Sequence, residues 1–161
     1  MDLPASGLVV ATKRARVVLD TNAVLDWLIF KNPDCASLEN AIYDGSVRLL
    51  TSTALRGELS HVLARGVVNR WVCDFSLLWK TLDRHAELLP DPPAAPATTR
   101  MRCTDADDQK FIDFALAHQA HWLLTRDRAL LKLHKKALAV GLRIARPRAW
   151  TPPDNAATAD K

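Results

Sequence analysis

Four short apolar runs recur along the chain with amphipathic helical stretches between them, and that alternation limits the fold more than any other feature. Val17-Val18-Leu19 is a continuous, partly β-branched run that ends on Asp20. A run without polar alternation suits a central parallel strand covered on both faces. "SVRLLTS" (46–52), "HWLLT" (121–125) and "GLRIA" (141–145) read as further strands. Between them, "TNAVLDWLIF" (21–30) reads as a helix with Asn22 available as its N-cap, and "NPDCASLENAIYDG" (32–45) as a second helix stopped near Gly45. "TALRGELSHVLARG" (53–66) places Leu55, Leu59, Val62 and Leu63 at helical spacing before Gly66. A longer helix is predicted from about Asn69 to Leu88, another from about Asp105 to Gln119, and a short one over "RALLKLHKK" (128–136). "PDPPAAPATTR" (90–100) is too rich in proline for helix or ladder strand and reads as a surface connection.

Strands alternating with helices imply an α/β protein: a three-layer α/β/α sandwich around a small, mostly parallel central sheet. With 161 residues, 48% of them apolar and 25% charged, one ordinary globular domain is expected. We read residues 1–15 as an extension, 16–150 as the domain and the polar, proline-marked 151–161 as a flexible tail. No apolar run approaches the roughly 18 residues of a membrane helix, and the opening residues carry too few clustered apolar side chains for a signal peptide, so a cytoplasmic protein is expected. Cys35, Cys73 and Cys103 form no CxxC pair and are odd in number, which favours reduced thiols over disulfides or a zinc site.

In a parallel sheet, ligands gather outside the carboxyl ends of the strands. Asp20 and Asp127 fall at two such ends, although a capping aspartate is the plain structural reading of each. Glu58 lies three residues after Leu55 and four before Val62, which puts its carboxylate beside an apolar stripe. A buried acid needs a partner, so Glu58 points to an internal salt bridge, with Arg56 or Arg65 as candidates, or to a metal. In "TDADDQKF" (104–111), Asp105 and Asp107 suit the first turn of a helix, where the helix dipole favours acids. Asp108 differs, because Phe111, Ile112 and Ala115 follow at three, four and seven residues and place it on the core-facing side. Four acids converging on one rim would repel unless a cation sat among them. Hard oxygen ligands select Mg²⁺ or Mn²⁺, and one or two such ions could activate a water against a phosphodiester.

"VVLDTNAVL", "LRGEL" and "DDQKFIDFALAHQAHWLLTRDRALL", in this order and spacing, resemble the PIN-domain family, in particular the single-domain bacterial VapC-like toxins of type II toxin–antitoxin pairs. The resemblance spans about residues 15–150. It implies a metal-dependent ribonuclease whose acidic quartet falls on Asp20, Glu58, Asp108 and Asp127, the four already singled out by position. It further implies support from Asn22 and Thr125, with Asp105 and Asp107 as helpers behind the ligands. The third motif reads "TDADDQ" where many relatives have proline and another acid, which leaves Asp107 and Asp108 both open as the third metal-site acid. Arg126 stands where a small residue is common and could reach in to hold a phosphate, with Arg128 beside it. Homodimers and a small antitoxin that wraps the cleft are the partners the resemblance implies, besides RNA itself.

The net charge of +4 tilts the chain toward polyanions, and residues 126–150 hold eight Lys or Arg against the single acid Asp127. A solvated helix face and edge strand would account for the same run. Five tryptophans, Trp27, Trp71 and Trp79 among them, fit either an ample core or an interface. The main rival to a nuclease is a non-catalytic RNA- or protein-binding module on the same fold. A phosphatase of the haloacid-dehalogenase type needs an acid two residues after Asp20, where Asn22 stands; a flavodoxin-like regulator has no use for Glu58 on an apolar face. Ser60 and His61 are adjacent but lack the strand–turn–helix setting of an acyl-transfer serine.

Overall fold

A computed structural model describes residues 14–71, 74–94 and 101–152. Among the described residues, five strands make one all-parallel sheet in the order β3-β2-β1-β4-β5, with β1 at Ala15–Leu19, β2 at Val47–Thr51, β3 at Ala86–Leu88, β4 at Trp122–Leu124 and β5 at Arg143–Ala145. The helices are α1 (Thr21–Leu28), α2 (Ala36–Tyr43), α3 (Thr53–Ala64), α4 (Ser76–His85), α5 (Gln109–Ala117), α6 (Arg128–Leu131) and α7 (His134–Leu138). Three short 3-10 turns join them at Pro33–Cys35, Ala106–Asp108 and Pro147–Ala149. The expected α/β/α sandwich is the observed fold.

Period-two alternation divides the core between the two faces of the sheet. Val17, Leu19, Leu49 and Leu124 point to the side covered by α1, α2, α4 and most of α3. Val18, Leu50, Leu123 and Ile144 point to the side covered by α5, α6 and α7. Both faces are fully covered, which is why β1 can be apolar at every position from Val17 to Leu19. The chain builds outward from β1 through β2 to β3, then returns to lay β4 on the other side of β1. Helix layers on opposite faces therefore diverge above the β1–β4 boundary and leave a crevice at the carboxyl ends of those two strands.

Several local expectations change. The N-cap of α1 is Asp20, not Asn22, because β1 runs into the helix with no intervening loop; Asp20 accepts the Ala23 N–H at 2.8 Å while Asn22 is exposed on the first turn. The helix predicted over 69–88 is shorter: it begins at Ser76 and yields at Ala86 to edge strand β3. Pairing of Ala86, Glu87 and Leu88 with Leu49, Leu50 and Thr51 overrides the helical pattern there, and a two-pronged Arg48–Glu87 pair at 2.6–2.9 Å clamps the edge. The segment after β4 forms two short helices, α6 and α7, in place of one. Gly45 and Gly66, at φ +79° and +74°, stop α2 and α3 as expected. The expected extension, tail and Cys73 lie wholly or almost wholly outside the described residues, and Cys35 and Cys103 are buried free thiols. Among the described residues, no helix is long and apolar enough to cross a membrane.

Candidate metal centre

The crevice is built first from β1 and β4. The Asp20 N–H donates to the Leu124 carbonyl at 3.1 Å, so the two strand ends leave the sheet together. Asp20 is 3% exposed, with Oδ1 taken by the Ala23 N–H and Oδ2 by the hydroxyl of the fully buried Thr125. The same Thr125 oxygen accepts the Asp127 N–H at 2.9 Å. One hydroxyl thus sets the spacing between the acid that ends β1 and the acid that follows β4. Asp127 caps α6 through Oδ1, which accepts the Ala129 and Leu130 N–H groups at 2.7 and 3.3 Å. Capping fixes the orientation of both carboxylates.

The opposite wall is the segment before α5. Asp105 accepts the Asp107 N–H at 2.9 Å and caps the 3-10 turn Ala106–Asp108. Three residues per turn stack Asp105 and Asp108 on one side and leave Asp107 exposed on another. Gln109 ties this segment to the helix behind it, accepting the Cys103 N–H at 2.8 Å and donating to the Met101 carbonyl and to Asp113, each at 2.9 Å. Phe111 and Ile112, buried on the next turn, anchor it to the core. One carboxylate oxygen from each of Asp105, Asp108 and Asp127 then lies within 4.8 Å of the others. Between the two candidates for the third acid, Asp108 is the one turned into this group.

Burial, then the charges of Asp127, Asp105 and Asp20, push the Asp108 carboxyl up to about 7. Burial also lifts Asp20 to about 6, against the hydrogen bonds from Thr125 and Ala23 that favour its ionised form. Among the described residues, no N–H or O–H group reaches the buried Asp108 Oδ2; the Asp127 carboxylate is its neighbour. Such an oxygen needs a proton or a cation. An all-oxygen donor set of this size suits Mg²⁺ or Mn²⁺, so the residues present fit the ion that the chemistry calls for.

The same groups fix the pH dependence. Folded-state pKa values raised above the unfolded carboxylate value mean that the folded protein holds more protons between about pH 4 and 7, so metal-free stability falls as pH rises through that window. With chelator present, the melting temperature is expected to be lower at pH 7.5 than at pH 5.5, and Asp108→Asn is expected to flatten the difference. Thermal melts of both proteins at the two pH values check this.

Glu58 projects from α3 at intermediate burial and forms an ion pair with Lys110, Nζ to Oε2 at 3.1 Å. It therefore stands with a cation from α5 and is not one of the three mutually close carboxylates. Arg56 pairs with Asp83 at 2.6 Å instead. Arg126 does not turn toward the acids: its Nε lies 2.6 Å from Oδ2 of Asp26, and Arg128 is exposed at the start of α6. Asp26 is a buried acid that the sequence reading passed over. Its signal was an acid enclosed on both sides in "AVLDWLIF", a stretch too apolar for a solvated position.

The profile of the family described as PIN domain matches residues 16–129, a stretch that takes in β1, the crevice acids and the start of α6. No curated protein is similar enough to the chain to count as a match.

Proposed function

The chain belongs to the PIN-domain family, whose members are generally metal-dependent nucleases, and from that premise we propose that it is an Mg²⁺- or Mn²⁺-dependent endoribonuclease. The observation that carries the reading is the buried, partnerless Asp108 Oδ2 facing Asp127 and Asp105, with Asp20 close enough to raise its pKa. Asp105, Asp108 and Asp127 would hold one ion, with Asp20 beside them, and Glu58 would join only on release from Lys110. A divalent ion in such a site supplies Lewis acidity that lowers the pKa of a water and offsets the charge building on a phosphodiester.

The protein's own residues do the rest. Thr125 keeps Asp20 and Asp127 in register by donating to one carboxylate and accepting from the other residue's backbone. With Oδ1 taken by backbone N–H groups, Asp127 presents its other oxygen to the crevice. Asp108, whose carboxyl is pushed up to about 7 without metal, would lose its proton as the ion enters and offer a carboxylate oxygen to it. Asn22 is exposed on the first turn of α1 and Asp107 on the 3-10 turn, so both side chains are open to solvent and would be free to meet an incoming strand.

Membership of the VapC-like toxin branch, a small antitoxin and a homodimer are part of this proposal and rest on the motif resemblance. An acid-lined binding module that does not cut is the second reading. It draws on the Lys110–Glu58 pair, which neutralises one of the four acids with no metal at all. Incubating the pure protein with an RNA pool and with DNA of matching sequence, each with Mg²⁺, with Mn²⁺ and with chelator, tests both. RNA cleavage that needs the ion is expected; metal-independent binding without cleavage would favour the module.

A further inference from the structure

Asp26 takes no part in the acid group, yet it is 3% exposed on α1 and its carboxylate is paired by a residue of the crevice rim. Burial raises its pKa more than the Arg126 charge lowers it, so loss of Arg126 would leave the carboxylate still harder to ionise. Arg126 sits between Thr125 and Asp127, whose polar groups serve the crevice; in an extended exit strand the middle side chain emerges on the other side. There it lines a cleft with Arg146 and Arg148 from the segment after β5 and with Asn32 and Asp34 from the first 3-10 turn. Pro147 and Trp150 are buried, and the Pro147–Ala149 turn packs on the Pro33–Cys35 turn, so the two later arginines project from an anchored base. Both are exposed, and among the described residues neither has an ion pair.

Solvated arginines need no buried anchor. A carboxylate in the core is costly unless it is paired, and here it is placed where it draws one guanidinium onto the wall that carries two others. With Asp26 buried and matched to Arg126, the carboxylate facing solvent is Asp34 alone against Arg146 and Arg148. Guanidiniums on a fixed wall are suited to two-pronged recognition of phosphate oxygens.

We propose that Arg126, Arg146 and Arg148 form a phosphodiester-binding subsite that seats a single-stranded RNA across the carboxyl edge of the sheet, next to the acid crevice, with Asp26 positioning Arg126. Arg126 leaves the same strand end as Thr125 and Asp127 but on the opposite side, so a strand held here would cross the end of β4 to bring a phosphate to the acids. This inference rests on the ribonuclease reading, and RNA binding in chelator tests it apart from that reading.

The experiment measures binding of a fluorescent RNA oligonucleotide in chelator over a range of salt, for the wild type, Asp20→Asn, Asp26→Asn and the double variant Arg146→Ala/Arg148→Ala. Losing two phosphate contacts is expected to make the slope of log K against log salt shallower by about 1.4, at about 0.7 per contact for single strands. The double variant, altered only at exposed positions, is expected to keep its melting temperature. Asp26→Asn is expected to weaken RNA binding and, in cleavage assays, to raise KM while leaving kcat near the wild-type value, which a purely structural defect would not do. Asp20→Asn is expected to bind RNA with the wild-type slope although it cannot cut, so failure of the nuclease reading shows as an inactive wild type and failure of the subsite shows in the slopes. An unchanged slope in the double variant, or no RNA binding by the wild type, would overturn the proposal. So would an oligoglutamate peptide of equal charge that competes as well as RNA, which would assign the cleft to an acidic protein partner.

Discussion

Asp20→Asn is expected to lower the single-turnover rate of RNA cleavage by about a hundred- to a thousandfold, the scale on which removal of one preorganised charge-stabilising group acts. The substitution is chosen because it separates chemistry from folding. Asparagine is as good an N-cap as aspartate, so its side-chain oxygen still serves the Ala23 N–H and α1 keeps its start. Loss of a buried charge whose pKa is already pushed up to about 6 removes a cost at neutral pH. The melting temperature of the metal-free variant should accordingly be no lower than that of the wild type. Cleavage within tenfold of wild type, from a variant that melts normally, would remove Asp20 from the site.

Divalent metal is expected to stabilise the protein, and Asp108→Asn to remove most of that gain. An ion that binds only the folded chain adds about 2.7 kcal/mol at a concentration one hundred times its Kd. For a domain of this size that corresponds to a rise in Tm of about 5 to 10 °C. Without metal, Asp108 faces the Asp127, Asp105 and Asp20 charges with Oδ2 unpartnered, so its replacement by asparagine should raise the Tm of the chelated protein above wild type. Adding Mn²⁺ to the variant should then give little further rise. Thermal melts of the two proteins with Mn²⁺ and with chelator check this; a metal-induced shift that survives in Asp108→Asn would move the site away from this residue.

Elements that bury a continuous or strongly periodic apolar face were legible in the sequence, as with the run Val17–Leu19, the Leu55/Leu59/Leu63 stripe and the Phe111/Ile112/Ala115 face. Strand β3 was not. Its three residues are half-exposed or exposed and follow the apolar stripe of α4 without a breaker, so only the hydrogen bonds offered by β2 distinguish strand from helix there. The site divides along the same line. Asp20 and Asp127 could be placed at strand ends and Asp108 on the core-facing side of its segment, because those positions, though not their roles, follow from local periodicity. Asp105 was expected in the first turn of an α-helix, with a helper role implied by the resemblance; the 3-10 turn, with its tighter period, brings one of its oxygens close to Asp108. Pairings across the fold had no local signature. Glu58 finds Lys110, 52 residues on, and Asp26 finds Arg126 on another element; neither the identity of the partner nor the direction of the side chain is encoded in the flanking residues.

On the proposed reading, Asp105, Asp108 and Asp127, with Asp20 beside them, hold a divalent cation. Calorimetric titration with Mn²⁺ at pH 6.5, repeated in buffers of different ionisation enthalpy, measures it most directly, since carboxyls held near 6 and 7 must give up protons as the ion enters. Saturable binding by the wild type with net proton release is expected, with both lost in Asp108→Asn. Saturable binding that persists in Asp108→Asn, or no binding by the wild type at millimolar Mn²⁺, would contradict it.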